Sequence, residues 1–234
     1  MIPTTPWEEA YQRLETPAEE RRKFIRRLRR LGVQHWSRDA KVIEVCSGRG
    51  NGILAWQQLG FPHVIGVDLS PALIGRSACR SQGVVGDARH LPVATASHDV
   101  VIVQGGLHHL RSMDDVRLAL SEMHRVLKPD GRAIIIEPWM TPFLRGVHLV
   151  AERLALRRLW NRLDAFAAMT DEERPTYEAW LGEPHAILEA VTARFEAIVL
   201  RRRFGKLVFM GRPRAGEESG TGDSRCSDAG GQYR

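Results

Sequence analysis

The sequence predicts an α/β fold in which a doubly wound, mostly parallel sheet is covered by helices on both faces. Short apolar runs rich in β-branched residues alternate with amphipathic helical segments, as in a series of βαβ units. The run from Val100 to Gln104 is almost continuously apolar, which is typical of a central strand buried on both faces. Both patterns therefore favour a parallel sheet over a sandwich or a helical bundle.

The composition predicts one domain with additional segments. The chain has 234 residues, and its 43% hydrophobic content is enough for one substantial core. The first residues lack the pattern of a signal sequence, and no run approaches the roughly 18 apolar residues of a membrane span. We therefore expect a cytoplasmic protein. Cys46, Cys79 and Cys226 have neither disulfide nor zinc-site spacing, so we expect neither feature.

The formal net charge of +6 does not by itself indicate a nucleic-acid partner. Only four of the 34 basic residues are lysines, and this skew towards arginine is better explained by coding bias than by selection for phosphate contacts. Many arginines lie on a helix predicted after Thr16, whose other face carries Phe24 and Leu28. We interpret this helix as packed on the sheet with a solvated basic face, and an anion or membrane-surface role is the alternative.

A glycine-rich segment joins the first strand to the helix that follows it. Residues 41–52 read K-V-I-E-V-C-S-G-R-G-N-G, a buried strand followed by a sharp turn that brings backbone N–H groups close to a ligand. Glu44 precedes the glycines, and a carboxylate there favours a cationic ligand over a pyrophosphate. The dinucleotide-binding pattern also needs a glycine where this chain has Ile53, which disfavours a nicotinamide oxidoreductase.

Two further acids follow the next two predicted strands. Asp68 ends the strand that starts at His63, and a carboxylate at this place can accept hydrogen bonds from both hydroxyls of a ribose. Its alternative role is to cap the next helix. Asp87 follows a brief strand at 83–86 and can accept a hydrogen bond from an adenine amino group, while the Ala88 N–H donates to the ring. An ordinary turn aspartate is the alternative for Asp87.

These features together resemble the class I S-adenosylmethionine-dependent methyltransferases, in particular their small-molecule, type 11-like group. The resemblance is strong over about residues 41–138, which include the three acids, the loop Q-G-G-L-H-H-L at 104–110 and the run H-R-V-L-K-P-D-G-R before the fifth strand. Within that run, Pro129, Asp130 and Gly131 predict a turn. The resemblance is moderate over two strands predicted at 194–200 and 206–211. One departure is Cys46, which stands where the family has its first glycine, and we expect it to alter the packing under the cofactor slightly.

The resemblance implies a Rossmann-like, seven-stranded sheet whose last strand is antiparallel. On this basis residues 1–40 form helices over the pocket, and residues 41–212 form the methyltransferase domain. Within that domain, residues 141–193 form a helical cap after strand 5, which we expect to select the acceptor. The tail at 213–234 has almost no apolar residues, so we expect it to be disordered.

The resemblance also implies that the cofactor is S-adenosyl-L-methionine and suggests which residues contact it. Those residues are Glu44, Cys46, Gly48, Gly50, Asp68, Leu69, Asp87, Ala88, Gln104 and Gly105. The implied reaction is transfer of a methyl group to a small-molecule acceptor by in-line displacement. The alternative is a non-catalytic partner or sensor protein that binds the same cofactor.

Candidate catalytic and acceptor residues follow the fourth and fifth strands. His108 and His109 are candidates for a general base, but at most one should face the pocket because consecutive side chains point in different directions. The other histidine would pack or support its neighbour. We predict no metal site, because no third histidine or acid stands at ligand spacing nearby. Glu137 and Trp139 are predicted to line the acceptor pocket, and the alternative for Glu137 is a cap or an ion pair with an arginine.

The sequence favours some acceptors over others. The run at 104–107 lacks the Asn/Asp-Pro-Pro-aromatic motif of enzymes that methylate amino groups of nucleobases and glutamine, and no cysteine follows the fourth or fifth strand for a covalent attack on cytosine. We therefore expect a small metabolite and no nucleic acid. A peripheral membrane contact with a lipid acceptor is the alternative, because the helical stretch after Thr141 is basic and amphipathic. The sequence carries no signal for an oligomeric state.

Overall fold

A computed structural model of the chain describes Ala10 and residues 13–151 and 161–215. Its centre is a seven-stranded sheet with the strand order β3-β2-β1-β4-β5-β7-β6. The strands are β1 (Val42–Val45), β2 (Val64–Asp68), β3 (Gly83–Val85), β4 (His98–Gln104), β5 (Leu127–Pro138), β6 (Phe195–Arg203) and β7 (Lys206–Pro213). Strand β7 runs antiparallel to both of its neighbours, and the remaining pairs are parallel. The predicted fold, including the antiparallel last strand, is confirmed.

Eight helices of the described residues surround the sheet. They are α1 (Pro17–Arg30), α2 (Asn51–Gln58), α3 (Pro71–Arg76), α4 (Met113–Val126), α5 (Pro142–Ala151), α6 (Asn161–Glu172), α7 (Arg174–Gly182) and α8 (Pro184–Arg194). Among these described helices, none combines the length and the apolar character that crossing a bilayer requires. The tail predicted at 213–234 begins too early, because Pro213 ends β7 and Arg214 N donates to the Arg194 carbonyl. The rest of that tail beyond residue 215, with Cys226, lies outside the described residues.

The sheet is buried on both faces, as the apolar β4 run predicts. Val101 and Val103 pack with α4 and α8 on one face, whereas Val100 and Ile102 pack with α1 and α2 on the other. Each of these four residues is at most 2% exposed. Because side chains alternate along a strand, a strand covered on both sides must be apolar at every position.

Local capping chemistry sets where several helices begin. Thr16 and Glu19 form a reciprocal capping box at the start of α1, where Pro17 occupies the first turn. Ser70 and Ser112 accept hydrogen bonds from Leu73 N and Asp115 N and so cap α3 and α4. The two serine caps place the carboxyl ends of β2 and β4 beside the starts of the helices that follow them.

One sequence expectation about the sheet is wrong. Pro129, Asp130 and Gly131 are predicted as a turn before the fifth strand, but they lie inside β5. Leu127 pairs with His98 and Arg132 pairs with Val100, so five residues on β5 face two on β4. The turn-forming residues are therefore accommodated as a bulge rather than a loop.

The segment at 141–193 contains helices of two kinds. The last of them, α8, packs on the sheet through Ile187 and Val191 and belongs to the main core. By contrast, α5 and α6 share a separate apolar cluster that contains Ala151, Leu163 and Ala167. Helix α7 is connected to the sheet by Trp180, whose indole N–H donates to the Pro138 carbonyl at 2.8 Å. Of the segment predicted to form a cap, α5 and α6 therefore pack apart from the main core, and α7 joins that core through Trp180.

Candidate methyltransferase site

The glycine loop after β1 has the backbone geometry that its sequence predicts. Gly48 and Gly50 have φ angles of +51° and +76°, values that glycine adopts without penalty. The Gly48 N–H donates to Asp68 Oδ2 at 2.8 Å, and the Ser70 N–H donates to Asp68 Oδ1 at 2.9 Å. Asp68 therefore holds the loop against the end of β2. Each of its oxygens has a second lone pair, which leaves capacity for ribose hydroxyls.

Glu44 lies beneath the glycine loop rather than at an exposed strand tip. Its side chain faces the α1 and α2 side of the sheet, and the residue is only 3% exposed. A Cβ on Gly52 would stand 1.9 Å from Glu44 Oε1, so a glycine at position 52 is what allows this packing. Burial, together with the nearby Glu20, raises the pKa of Glu44 to about 8.

Several buried polar atoms at this end of the sheet have no hydrogen-bond partner among the described residues. They are Glu44 Oε2, Ser47 Oγ and both side-chain amide atoms of Gln104. Leaving a buried polar atom unpaired costs about 1–3 kcal/mol, so such atoms mark places where a ligand or water completes the structure. These residues fit a polar, charged ligand such as the amino-acid portion of S-adenosylmethionine.

The predicted adenine region is only partly arranged as expected. Leu69 is 70% exposed and offers an apolar surface beside Asp68, whereas Ala88 is buried. Both carboxylate oxygens of Asp87 accept hydrogen bonds from Arg89, at 2.6 to 3.1 Å, and Arg89 also reaches Asp115. This hydrogen bonding with Arg89 lowers the pKa of Asp87. An adenine amino group would therefore have to share Asp87 with Arg89.

The loop after β4 is fixed by Glu137, which does not line an open pocket. Gly106 N and Leu107 N both donate to Glu137 Oε1 at 2.9 Å, and Glu137 Oε2 lies 2.8 Å from His108 Nδ1. Glu137 has no exposed surface, so the expectation that it contacts the acceptor is corrected. Its partner is a histidine rather than the arginine considered as an alternative. A carboxylate that accepts three hydrogen bonds is a rigid anchor for this loop.

Trp139 does not line an open pocket either. The residue is 6% exposed and packs in the same core cluster as Leu207 and Phe209. The backbone N–H of Trp139 donates to the Gly205 carbonyl at 3.0 Å, which ties the end of β5 to the turn before β7. Trp139 therefore supports the site from the core, which corrects its predicted role in the acceptor pocket.

The two adjacent histidines have different environments. Burial lowers the pKa of His108, but hydrogen bonding with Glu137 and Glu173 outweighs it and raises that pKa to about 9. A histidine that is already protonated near neutral pH cannot accept a proton there, which argues against His108 as the base. For His109, burial and the neighbouring His108 lower the pKa. The His109 side chain is 39% exposed, so it is the histidine better suited to accept a proton.

Glu173 is the residue at this site that sequence reasoning missed. Its Oε1 lies 3.3 Å from His109 Nδ1, and its Oε2 lies 3.8 Å from His108 Nε2. It occupies the N-cap position of α7, far along the chain from the histidines. No local pattern marks it, because only the docking of α7 through Trp180 brings it to the β4 loop.

Cys46 replaces a glycine in the resembled pattern, and the structure shows how it fits. Its φ of +56° is the left-handed conformation that favours glycine. A Cβ on Gly106 would stand 2.4 Å from Cys46 Cβ and 2.7 Å from its Sγ, so the thiol occupies space left by that glycine. Burial raises the pKa of the Cys46 thiol, which keeps it protonated and unreactive.

Comparison with known proteins agrees with this geometry. Residues 43–135 match a family model described as a methyltransferase domain. The demethylmenaquinone methyltransferase of Chlorobaculum parvum is 30% identical over 118 residues, or 48% of each chain. The enzyme of that name from Staphylococcus carnosus is 34% identical over 121 residues, or 47% of this chain and 49% of that protein. The chain thus spans about half the length of the curated relatives it matches.

Solved structures share the fold at lower identity. The PH0226 protein from Pyrococcus horikoshii has a TM-score of 0.66 and 17% identity, over 91% of this chain and 100% of that one. A TehB-like methyltransferase from Corynebacterium glutamicum, described as dependent on S-adenosylmethionine, has a TM-score of 0.51 and 18% identity, over 85% of this chain and 100% of that one. Residues 43–135 therefore resemble a methyltransferase domain, and the chain shares its fold with a structure described as an S-adenosylmethionine-dependent methyltransferase.

Proposed function

We propose that this protein is a methyltransferase that binds S-adenosyl-L-methionine and transfers its methyl group to a small-molecule acceptor. The observation that carries the proposal is Asp68, a carboxylate held by Gly48 N–H and Ser70 N–H at the carboxyl end of β2, beside a glycine loop with positive φ angles. This arrangement lies inside the stretch that matches a methyltransferase domain. No observation favours the non-catalytic alternative or the nicotinamide oxidoreductase.

The residues at the carboxyl ends of β1, β2 and β4 would hold the cofactor. Asp68 would bind the ribose, Leu69 would cover one face of the adenine, and Gln104 with the glycine loop would meet the amino-acid portion. A cationic ligand close to Glu44 would favour its ionised form and so offset the cost of its burial. The cofactor, when bound, supplies a methyl group on a positively charged sulfur.

The protein's main contribution is to position the acceptor. In-line displacement needs the acceptor atom opposite the departing sulfur, about 3 Å from the methyl carbon. His109 would take the proton of an acceptor that arrives as a hydroxyl or an ammonium group. His108, held between Glu137 and Glu173, would fix the loop that presents His109.

A cavity in the helical cap supports a small-molecule acceptor. It has a volume of about 510 Å³ and is lined by side chains of α5, α6 and α7, including His148, Phe166, Arg174 and Tyr177. Tyr177 also packs edge-on against His108, with ring centroids 6.0 Å apart, so one cavity wall contacts the β4 loop. Its lining also includes Asp171 and Glu178, both of which are ion-paired with Arg174. A cavity of this size with aromatic walls fits a small metabolite.

A lipid acceptor is a second candidate, favoured by one surface feature. Phe143, Leu149 and Val150 on α5 are 57%, 59% and 40% exposed, and Phe204 is 65% exposed and stacks edge-on with Phe143. Exposed apolar side chains beside arginines are typical of a membrane-surface contact. Co-sedimentation with anionic vesicles that is lost in a Phe143→Ser, Phe204→Ser variant would favour this acceptor class.

Calorimetry with S-adenosylhomocysteine tests the proposed cofactor site. Asp68→Asn removes the charge and one acceptor oxygen, and we expect an affinity loss of about tenfold or more, because each hydrogen bond to a charged group contributes about 1.5–3 kcal/mol. Asp130→Asn, an exposed change in the β5 bulge, is the matched control and should leave the affinity unchanged. Equal affinity in the Asp68 variant and the wild type would contradict the assignment.

The transfer reaction needs its own test. The wild-type protein is incubated with methyl-labelled S-adenosylmethionine and a metabolite extract, and labelled small molecules are separated and counted. We expect label in a small molecule that is absent when Asp68→Asn replaces the wild type. Cofactor binding without label in any fraction, lipid extracts included, would support the non-catalytic alternative.

A further inference from the structure

Three side chains beside the β4 loop converge in a way that methyl transfer does not require. His108, His109 and Glu173 each offer a ligand atom, and these atoms all lie within 4.8 Å of one another. The two histidines belong to one short 3₁₀ turn, whereas Glu173 comes from the cap. Two imidazoles and one carboxylate form a donor set that first-row transition metals prefer.

The distances are close to those of a bound metal. Two ligands about 2.1 Å from a tetrahedral metal lie roughly 3.4 Å apart. Glu173 Oε1 is 3.3 Å from His109 Nδ1, and Glu173 Oε2 is 3.8 Å from His108 Nε2. Each carboxylate oxygen therefore faces one imidazole nitrogen at close to this separation. All three ligand atoms lie within 4.8 Å of one another, so the side chains would draw together around a bound ion.

Glu137 supplies the outer support that metal-bound histidines need. Its Oε2 lies 2.8 Å from His108 Nδ1, and Glu137 is buried and also accepts two backbone N–H groups. A bound metal would displace the proton that His108 Nε2 shares with Glu173, while Nδ1–H continues to donate to Glu137 and the Nε2 lone pair points to Glu173. A histidine whose second nitrogen donates to a carboxylate in this way is the usual arrangement around bound zinc.

The Glu173 carboxylate has no competing role in capping its helix. Although Glu173 is the N-cap residue of α7, its side chain makes no cap hydrogen bond. The helix behind it is held in place by the Trp180 hydrogen bond to Pro138 and by Tyr177, which packs on His108. The third ligand is thus presented by a rigid element, as a preformed metal site requires.

The cluster is partly open to solvent. The His108 side chain is 8% exposed, Glu173 is 19% exposed and His109 is 39% exposed. His109 also has a hydrogen bond with the Gly105 backbone, which lies in the loop predicted to face the cofactor. Three protein ligands with one open side correspond to a metal that keeps a position for water or substrate, whereas structural zinc sites are closed by four ligands.

We propose that His108, His109 and Glu173 bind one divalent first-row transition-metal ion, with Glu137 as the outer partner of His108. The metal would be a Lewis acid at the cap side of the β4 loop, with its open position available to an oxygen or nitrogen of an acceptor. This inference goes beyond the proposed methyl transfer and does not depend on it. With the ion bound, His109 could not act as the general base, and coordination to the metal would instead acidify the acceptor so that its proton leaves to solvent. The inference also reverses the sequence expectation of no metal, because the ligand missing from the sequence pattern comes from a distant helix.

Metal titration of the intact chain tests the proposal. Protein without a histidine tag is stripped with a chelator, and Zn²⁺ is titrated by calorimetry while Co²⁺ is followed by its visible absorption. We expect one ion per chain. His109→Ala and Glu173→Gln should each weaken binding at least about tenfold, and Glu137→Gln should weaken it about 10–100-fold through the outer contact.

Matched controls separate this site from adventitious binding. Glu172→Gln changes the exposed acid next to Glu173, and His185→Asn changes an exposed histidine on α8, so both should bind zinc like the wild type. The proposal is overturned if no stoichiometric ion binds, if His109→Ala and Glu173→Gln bind zinc as tightly as the wild type, or if cobalt shows thiolate charge-transfer absorption. Unchanged circular dichroism and thermal unfolding of the variants show that a loss of binding does not come from misfolding.

The metal test is independent of the proposed function. S-adenosylhomocysteine affinity, measured in the same His109→Ala and Glu173→Gln variants, reports on the cofactor site alone. Retained cofactor affinity with lost zinc affinity supports both proposals. Zinc binding in a protein that does not bind S-adenosylhomocysteine would support the metal site while contradicting the proposed methyltransferase function.

Discussion

At the residue scale, Cys46 stands where the resembled pattern has a glycine, and Gly106 leaves the space that the cysteine side chain needs. The cysteine adopts a backbone conformation that favours glycine, and its side chain fills the space over the Cα of Gly106. The loop after β1 and the loop after β4 therefore meet across the Cys46 side chain. With a glycine at both positions, no side chain would lie between them. This contact lies at the end of the sheet where we propose that the cofactor binds.

We predict that Gly106→Ala destabilises the protein and that Cys46→Gly partly restores its stability. The new Cβ would stand 2.4 Å from Cys46 Cβ and 3.0 Å from Val103 Cγ2, and such overpacking costs about 1–3 kcal/mol. Removing the cysteine side chain relieves the closer contact. A double-mutant cycle by urea unfolding should therefore give a coupling free energy between about 0.5 and 3 kcal/mol.

Gly75→Ala in α3 is the control for this cycle, because a Cβ there has nothing within 4 Å. It should be neutral or stabilising by up to about 1 kcal/mol, since alanine is the better helix former. Additive effects of Gly106→Ala and Cys46→Gly, with no coupling between them, would contradict the packing described above.

Glu44 makes stability depend on pH in an uncommon direction for an acid. Its folded pKa is raised from 4.5 to about 8, so its contribution to stability is fully present below pH 4.5 and is lost as the pH rises through 8. Glu44→Gln keeps the shape but cannot ionise. We predict that the free energy of unfolding of the wild type, relative to Glu44→Gln, falls between pH 4.5 and 8, as measured by urea unfolding at several pH values.

The slope of that difference cannot exceed about 1.4 kcal/mol per pH unit for a single group. If the two proteins lose stability in parallel across this range, then Glu44 is already ionised in the folded chain. In that case a partner compensates its burial, and the interpretation of Glu44 as a buried acid with a raised pKa is wrong.

Individual site residues were predictable from sequence only where their position follows from strand order. Glu44, Asp68 and Asp87 stand at or just after the ends of parallel strands, and parallel strands end on the same side of a sheet. Side-chain direction was less predictable: Glu137 follows the same rule but points into the core. Glu173 could not be predicted, because its place beside His109 depends on how α7 docks.

At the scale of elements, α4 holds the connection between β3 and β4 through several side chains, among which Arg125 and Glu122 act together. The Arg125 guanidinium donates to the carbonyls of Leu91 and Val93 at 3.0 Å each and to Glu122 at 2.7 Å. Glu122 in turn accepts the Leu91 N–H at 2.8 Å. This connection follows directly after Asp87, so Arg125 helps to fix the predicted adenine region from behind.

We predict that Arg125→Lys lowers the free energy of unfolding by roughly 1–3 kcal/mol, because an ammonium group cannot reproduce the planar fork of contacts. Thermal and urea unfolding measure the change. Arg117→Lys is the control: that arginine is 52% exposed and has an ion pair with Asp114 within the same helix, so the change should be close to neutral. Equal effects of the two substitutions would show that the loop does not depend on Arg125.

The sequence predicted which helices and strands are present better than it predicted the residues at which they begin and end. The capping residues Thr16 and Ser70 and the apolar run of β4 each correspond to an observed helix start or strand. The predicted turn at Pro129–Gly131 failed, because pairing of Leu127 with His98 on β4 extends the strand beyond what local propensity favours. Long-range pairing of this kind overrides turn-forming residues and leaves no local signal.

For the whole molecule, cofactor binding should appear as added stability. A ligand that binds only the folded state at 100 times its dissociation constant stabilises that state by about 2.7 kcal/mol. For a chain of 234 residues this corresponds to a rise in Tm of about 5–10 °C. We predict such a rise with S-adenosylhomocysteine and none with NAD or NADP, measured by scanning fluorimetry. A comparable rise with NAD would instead favour the nicotinamide oxidoreductase.

The two outermost strands of the sheet also have a consequence for how copies of the chain behave towards one another. An unpaired strand offers free N–H and C=O groups to any other strand, and this is a common start of aggregation. Here β3 has only three residues, and β6 ends in Arg201, Arg202 and Arg203, all exposed. A second β6 approaching side by side would bring like charges together. The three arginines at the end of β6 thus disfavour edge-to-edge pairing of the sheets of two copies of the chain.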